Sequence, residues 1–382
     1  MKPARYGLLL SGIMAVVAFA QESDFERFRQ QNQQGFEEYQ EAEDAYLEEI
    51  SRQYEDYLRR EQEAFEEFRA EVERKWDEFR YQTSKRYVEY DEDLTRRGIV
   101  DFEQGVVEVE VITTGDSTAD SSEIKARMGQ QIEGLVNTTD FQNRSILLNQ
   151  LELSDGRTVN RSNAEEYAKG VVNRREIQTK TYVAQDGIRR TKHSVALAMV
   201  PDHLARRAEA FREDVLRESN RFEIDPRVTF AVMHTESSYN PRARSHIPAY
   251  GLMQLVPNSG ARDAYIYVYN KDTLLTGDYL FVPPHNIELG CAYLSKIRNR
   301  YFRGIKNDTS AYYCAIAAYN TGPGNVARAI TGSYGIRSAI RTINEQSSDW
   351  VYNKLINDLP FAETRNYLRK VTDRMRLYDS WI

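Results

Sequence analysis

Between Gln21 and Arg97 the chain has no proline and one glycine, Gly35, and its large apolar residues recur at intervals of eleven. Tyr54, Phe65, Trp76 and Tyr87 form one row; Tyr46, Tyr57, Phe68, Phe79 and Tyr90 form another. Phe25, Phe36 and Leu47, with Phe28, Tyr39 and Ile50, carry the pattern toward the N-terminus. Eleven residues in three turns is about 3.67 per turn, which suits a nearly straight helix or a slight right-handed supercoil. The stretch 21–97 is therefore expected to be one long charged, coiled-coil-like helix, ended by Gly98. Its apolar seam needs a cover: a second copy of the chain, a protein partner, its own hairpin or the next domain.

Ahead of this helix, Met1–Ala20 reads as a signal peptide. Lys2 and Arg5 form the charged start, and Ala18-Phe-Ala20 is an A-x-A cleavage pattern. Gly7–Phe19 is apolar but too short to span a bilayer comfortably. An exported, periplasmic protein is expected, with peripheral association to the outer membrane as a variant. No cysteine follows Ala20; the two cysteines are Cys291 and Cys314. An oxidising compartment permits a bridge between them, and two buried thiols fit equally well. The histidines are scattered and neither cysteine has metal-ligand neighbours, so no cofactor is expected.

After Gly98 the pattern changes period. Val107, Val109 and Val111 alternate with Glu108 and Glu110, as in a strand with one buried face. Gln104-Gly105 marks a turn before it. Asp186-Gly187 marks a hairpin within 181–188, and 193–200 reads as a strand. Helices are expected over 122–137, 143–151 and 163–172. Residues 98–200 thus read as a small α+β domain.

From Pro201 the chain reads as mainly α. It carries 24 Lys and Arg against 19 Asp and Glu, a net of +5, so the first 200 residues hold −12 of the overall −7. A basic domain beside an acidic one suits an anionic polymer, and no nucleic-acid motif is present. An amphipathic helix over 201–220 leads in. Asn286 is expected to cap a helix, Asp308 or Thr309 the next, and Thr321–Gly324 to break it. Residues 351–357 and 363–378 form the last helices, and 263–284 is a looser stretch suited to a lid or a short β-wing.

The chemistry centres on one helix. Asp225 is a good N-cap and Pro226 suits the first helical position; Val228, Val232 and Thr235 share a face, and Asn240-Pro241 stops it. Glu236 then falls in the last turn, where the helix dipole and apolar neighbours such as Met233 and Tyr239 disfavour negative charge. Both effects raise a carboxyl pKa, as a general acid near neutral pH requires. A surface glutamate at a helix end would look the same in isolation.

Beyond Glu236-Ser237 come Tyr250-Gly-Leu-Met-Gln254, then Ala318-Tyr-Asn320 with Gly322-Pro-Gly324, then Glu363-Thr-Arg-Asn-Tyr367. In order and spacing, across about 180 residues, this set resembles the lytic transglycosylases of the soluble type, which have a lysozyme-like fold. Residues 100–112 and 193–207 are similar to the N-terminal domain and linker of the membrane-bound lytic murein transglycosylase C family, which normally begins with a lipidated cysteine.

The resemblance implies a peptidoglycan lyase acting on glycan strands. A usual glycosidase needs two carboxylates, and Asp263, Asp278, Glu288 and Glu363 sit in no motif that suggests a partner for Glu236. One suffices if the C6 hydroxyl of N-acetylmuramic acid attacks its own C1, a tethered reaction with high effective molarity. By motif position Glu236 is the catalytic acid and base. Ser245 matches the family serine near the muramic N-acetyl group. Met253 and Gln254 would line the cleft and hold Glu236, Tyr319 would bond Glu236 or the sugar, Asn320 would fix the backbone after its helix, and Tyr367 would be a cleft or core tyrosine. His234 reads as structural. Tyr250 stands where a smaller residue is usual and would narrow the cleft or stack on a sugar. The competing readings are a lysozyme-type hydrolase using water, which needs a second carboxylate, and a non-catalytic wall-binding scaffold assembled by the long helix.

Overall fold

The computed structural model describes residues 45–114, 121–246 and 248–382. The signal peptide expected at Met1–Ala20 and the first part of the charged helix lie outside them. The chain divides into a unit ending at Glu61 and a second over Gln62–Ile382. In the first, residues 45–61 are helical, with Tyr54 and Tyr57 stacked at 6.3 Å between ring centroids.

That helix, α1, runs over 45–75 and stops well short of the expected Arg97. Its end is fixed by tertiary contacts, since 76–85 contains no glycine or proline. The Tyr182 hydroxyl donates to the free Lys75 carbonyl at 2.6 Å, and Trp76 Nε1 donates to Leu94 O at 2.9 Å. Tyr87 and Tyr90, counted as helix by their spacing, lie on strand β1, Arg86–Tyr90. Trp76 and Tyr90 still meet, edge to face at 6.0 Å. Gly98 ends no helix; it lies inside β2, Arg96–Asp101, where a Cβ would come within 2.8 Å of Leu135.

The remaining strands are β3, Val106–Thr114; β4, Gln178–Val183; and β5, Arg189–Ala198. They form one antiparallel sheet in the order β1-β2-β3-β5-β4. Val107, Val109 and Val111 face inward, as expected, and pack on α2, Ser121–Asn137, and α3, Ala164–Arg174. The opposite face is not simply solvated. Glu110 is buried there beside Arg97, which donates to its carboxylate, to Glu78 O at 2.7 Å and to the Tyr90 hydroxyl at 3.2 Å. Arg97 also lies 4.2 Å over the Trp76 ring. Residues 143–151, expected as a helix, form turns. Asp140 accepts from the amides of Gln142 and Arg144, an arrangement that competes with helix.

A second core is helical. The expected single helix over 201–220 is two, α4, His203–Glu209, and α5, Arg212–Arg221. Then come α6, Pro226–Ser237; α7, Arg262–Tyr269; α8, Gly277–Phe281; α9, Pro283–Lys296; and α10, Asp308–Thr321. The last four are α11, Pro323–Thr331; α12, Ile336–Asn344; α13, Ser348–Asp358; and α14, Ala362–Met375. Residues 263–284 hold two short helices and no β-wing. The cap of α10 is Asn307, not Asp308 or Thr309, and its side chain accepts from Ser310 N at 2.9 Å. Cys291 and Cys314 are both buried free thiols, and burial pushes each up to about 12. The chain is α+β overall, with the helices concentrated after residue 200.

Candidate functional site

α6 is the axis of the helical core. Asp225 caps it as expected, accepting from Arg227 N at 2.9 Å, with Pro226 first in the helix. Phe230, Ala231, Val232 and Met233 are fully buried, so the helix runs through the core and delivers Glu236 at its far end. The chain then turns sharply: Ser238 and Tyr239 are both left-handed, at φ 49° and 60°. Such residues cost on the order of 1 kcal/mol each. The turn is held by Arg207 Nε donating to Ser238 O at 3.1 Å and by Tyr239 Oη donating to Phe230 O at 2.9 Å. Ser237 anchors it from inside, donating to Met233 O and Leu252 O and accepting from Tyr239 N.

Glu236 has the perturbed acidity that its position predicts. Its pKa is pushed up to about 7, chiefly by burial and further by the charge of Glu363, while Tyr367 and Lys85 pull it down. The residue as a whole is half-buried, so the carboxyl is shielded on a side chain that still reaches a surface. Tyr367 comes from α14 and Tyr319 from α10. Burial, then the Glu236 charge, holds both phenols well above their ordinary value. The Tyr367 hydroxyl is buried and reaches toward the carboxyl without closing a hydrogen bond of ordinary geometry.

The other expected residues divide into two kinds. Tyr367 and Tyr319 lie near the Glu236 carboxyl. Met253, Gln254 and Asn320 build the frame around it. The Met253 side chain is fully buried and presses on Gly290, so it lines no surface. Its backbone makes the contacts that matter: Met253 N donates to Asn286 Oδ1 at 2.7 Å, and Met253 O accepts from Tyr319 Oη at 2.8 Å. The Tyr319 hydroxyl is thus committed to the frame rather than bonded to Glu236. Gln254 is left-handed at φ 48°, and its amide donates to Ala243 O at 3.1 Å and Gly251 O at 2.9 Å. Asn320 accepts from Thr364 Oγ1 at 2.7 Å, tying α10 to α14. Ser245 accepts from Ala249 N at 3.1 Å within the loop after α6. Tyr250 is 2% exposed and meets Phe281 edge to face, so it is placed to stack on the protein and not on a sugar.

His234 is structural, as expected. Its Nδ1 lies 2.9 Å from Tyr378 Oη, and its pKa falls to about 3 through burial and the nearby cations Arg374 and Lys85. Asn286, expected as a cap, sits inside α9. It bridges Met253 N, Tyr250 O and Leu280 O and so holds the loop carrying Gly251, where a Cβ would collide with it. A buried asparagine with three backbone partners gives no signal in sequence. Nor do Lys85, Glu103 and Arg374, which lie far apart in the chain and converge beside α6. Among the other carboxylates, Glu288 bonds Arg221 and Tyr269, and Asp263 pairs with Lys296. Among the described residues no cluster of three or more His, Cys, Asp or Glu is placed to hold a metal ion.

Residues 214–339 match the model of the transglycosylase SLT domain, and residues 51–210 match that of the membrane-bound lytic murein transglycosylase C N-terminal domain. A membrane-bound lytic murein transglycosylase C of Edwardsiella ictaluri is 39% identical over 49% of this chain and 51% of its own length. The chain spans about half the length of several such relatives. It covers more of others. The protein of the same name from Haemophilus ducreyi is 33% identical over 76% of this chain and 78% of its own. The one from Actinobacillus succinogenes is 31% identical over 76% and 80%. Among solved structures, an inactive mutant of lytic transglycosylase Slt from Pseudomonas aeruginosa aligns at 29% identity and a TM-score of 0.33, over 45% of this chain and 24% of that one. With both halves of the architecture matched in order and relatives covered over most of their length, the chain belongs to the membrane-bound lytic murein transglycosylase C family.

Proposed function

We propose that this protein is a peptidoglycan lytic transglycosylase in which Glu236 is the single acid and base. The observation that carries this reading is the Glu236 carboxyl, raised to about 7 at the end of a buried helix. Such a group is substantially protonated at neutral pH and can lose its proton within one turnover. Protonated Glu236 gives its proton to the glycosidic oxygen between N-acetylmuramic acid and N-acetylglucosamine. The C1–O bond breaks, and the muramic C6 hydroxyl oxygen bonds to C1. The carboxylate then takes the C6 hydroxyl proton, which restores the acid and leaves a 1,6-anhydro end. No water enters. Tyr367 lies beside the carboxyl, Ser245 stands on the loop that would meet the sugar, and Met253, Gln254 and Asn320 fix the frame.

The relatives are named membrane-bound murein enzymes, which supports export to the periplasm and attachment near the outer membrane. The exposed Tyr46 and Leu47 of α1 support self-association or a protein partner. Sedimentation of the full chain tests this, and a monomer at all concentrations would remove self-association.

Mass analysis of the products from purified sacculi tests the reaction. Products one water lighter than hydrolysis gives are expected, and they should fall by ~10²–10⁴-fold with Glu236→Gln. A second reading, hydrolysis, is favoured by Glu363, whose charge reaches Glu236 from the first turn of α14. Products of full hydrolytic mass would establish it. Binding of sacculi without release of any product would favour a scaffold.

A further inference from the structure

The sheet layer reaches the acid through a short segment that no motif marks. Asn240, just past the turn after Glu236, donates to Ser84 O at 3.2 Å, and Gln82 bonds Arg242 O. Next in line is Lys85, which pairs with Glu103 on the β2–β3 turn. Glu103 lies 3.8 Å from Arg374 of α14. Arg374 in turn donates to His234 O at 3.2 Å and Thr235 Oγ1 at 3.0 Å, on the last turn of α6. A lysine from one layer and an arginine from the other therefore flank the carbonyl end of the helix that ends in Glu236. Backbone contacts hold the lysine there: Phe102 N donates to Lys85 O at 2.9 Å, and buried Arg207 ties Phe102 O to Ser238 O.

We propose that Lys85 is a positioning residue for catalysis, a cation lent by the sheet layer that offsets the helix end and the Glu363 charge and keeps the Glu236 acid from becoming too weak to donate. This rests on the reading of Glu236 as the acid. A cation near a carboxyl favours its ionised form, and a helix C-terminus and a second carboxylate favour the neutral one. Among the described residues, the charged and titratable groups that act on Glu236 are Glu363 and Tyr367 from α14, Tyr319 from α10, and Lys85 from the sheet layer. Arg374 and Glu103 flank Lys85, with Lys370 within reach of Glu103, and neutral His234 adds no charge. Glu103 is itself held below the ordinary carboxylate range: burial opposes this, but the Lys85 bond and the charges of Lys85, Arg374 and Lys370 outweigh it. It therefore remains an ionised anchor for Lys85.

The test is the pH profile of glycan cleavage by the full chain carrying Lys85→Gln or Lys85→Arg. Loss of the cation should move the alkaline limb of kcat/KM upward by roughly half a pH unit or more, and Lys85→Arg should keep the wild-type limb. A merely structural lysine would lower Tm in Lys85→Gln and leave the limb in place, and that result overturns the proposal. The Glu236 carboxyl is also titrated directly by carbon NMR of glutamate-labelled protein, assigned against Glu236→Gln. An upward shift in Lys85→Gln sustains the proposal even if the protein cleaves no glycan, which separates its failure from failure of the enzymatic reading. An unmoved carboxyl titration overturns it whatever the activity.

Discussion

The sheet layer and the helical layer of the Gln62–Ile382 unit each shield a glutamate, and they treat it in opposite ways. In the sheet layer Glu110 meets Arg97, itself fully buried, and Lys192 at 3.5 Å. In the helical layer Glu236 meets two phenols, a second carboxylate and only the more distant influence of Lys85. A shielded carboxylate with its countercharges is a structural fixture. One deprived of them has its pKa raised, which costs stability and suits it to proton transfer. The contrast separates the two glutamates more sharply than burial does, since Glu110 is the more buried of the pair.

The comparison breaks first at Arg97. Arg97→Met should destabilise the unit by about 3–5 kcal/mol, because Glu110 would be left shielded with Lys192 alone. Urea unfolding reads this, and a loss below about 1 kcal/mol would mean the pair is not a fixture.

Glu236→Gln should do the reverse. A raised native pKa means that the folded state binds the proton more tightly than the unfolded chain. The group's contribution is full below the unfolded value, near 4.5, and is lost as pH rises through about 7. Glutamine keeps the neutral shape at every pH. The variant should match the wild type near pH 4 and exceed it by about 2 kcal/mol at pH 8, after discounting for the half-exposed side chain. Equal unfolding curves at pH 8 would remove the strain from Glu236.

Tyr367→Phe sharpens the picture. Its hydroxyl lowers the Glu236 pKa, so its loss should move the alkaline activity limb upward by up to about one pH unit. A downward shift would mean that the phenol favours the neutral acid. The smallest effect is expected at the frame. Asn307→Ala should cost about 1 kcal/mol through the lost cap of α10, and Asp308→Ala less, as read by thermal unfolding.

Much of both layers was legible where the signals are local. Asp225-Pro226 opening α6 and the strand alternation of Val107, Val109 and Val111 depend on neighbours within a few residues. Glu236 was legible for the same reason, as the last turn of a helix whose ends the sequence marks. Some errors are local, such as the turns at 143–151 and the cap at Asn307, and others lie where a residue's role depends on a distant partner. Tyr87 and Tyr90 keep the eleven-residue row and yet lie on a strand, because β1 pairs with β2. Asn286 has the sequence mark of a cap and the position of a buried bridge. Met253 and Tyr250 look like cleft residues by motif but turn inward, their motif serving the backbone of the loop after α6.

By itself, then, the sequence determined many of the helices and strands among the described residues, and that one carboxyl would stand at a helix end; Tyr319 and Tyr367 were singled out only through the family resemblance. Helix periodicity, capping and turn chemistry act over a few residues, so one chain without relatives is enough to read them. Only the tertiary structure decided where α1 stops, which glutamate is paired, and that Lys85, Glu103 and Arg374 meet beside α6. Those outcomes depend on Coulomb and hydrogen-bond terms between groups brought together by folding, and such terms leave no trace in the order of the residues.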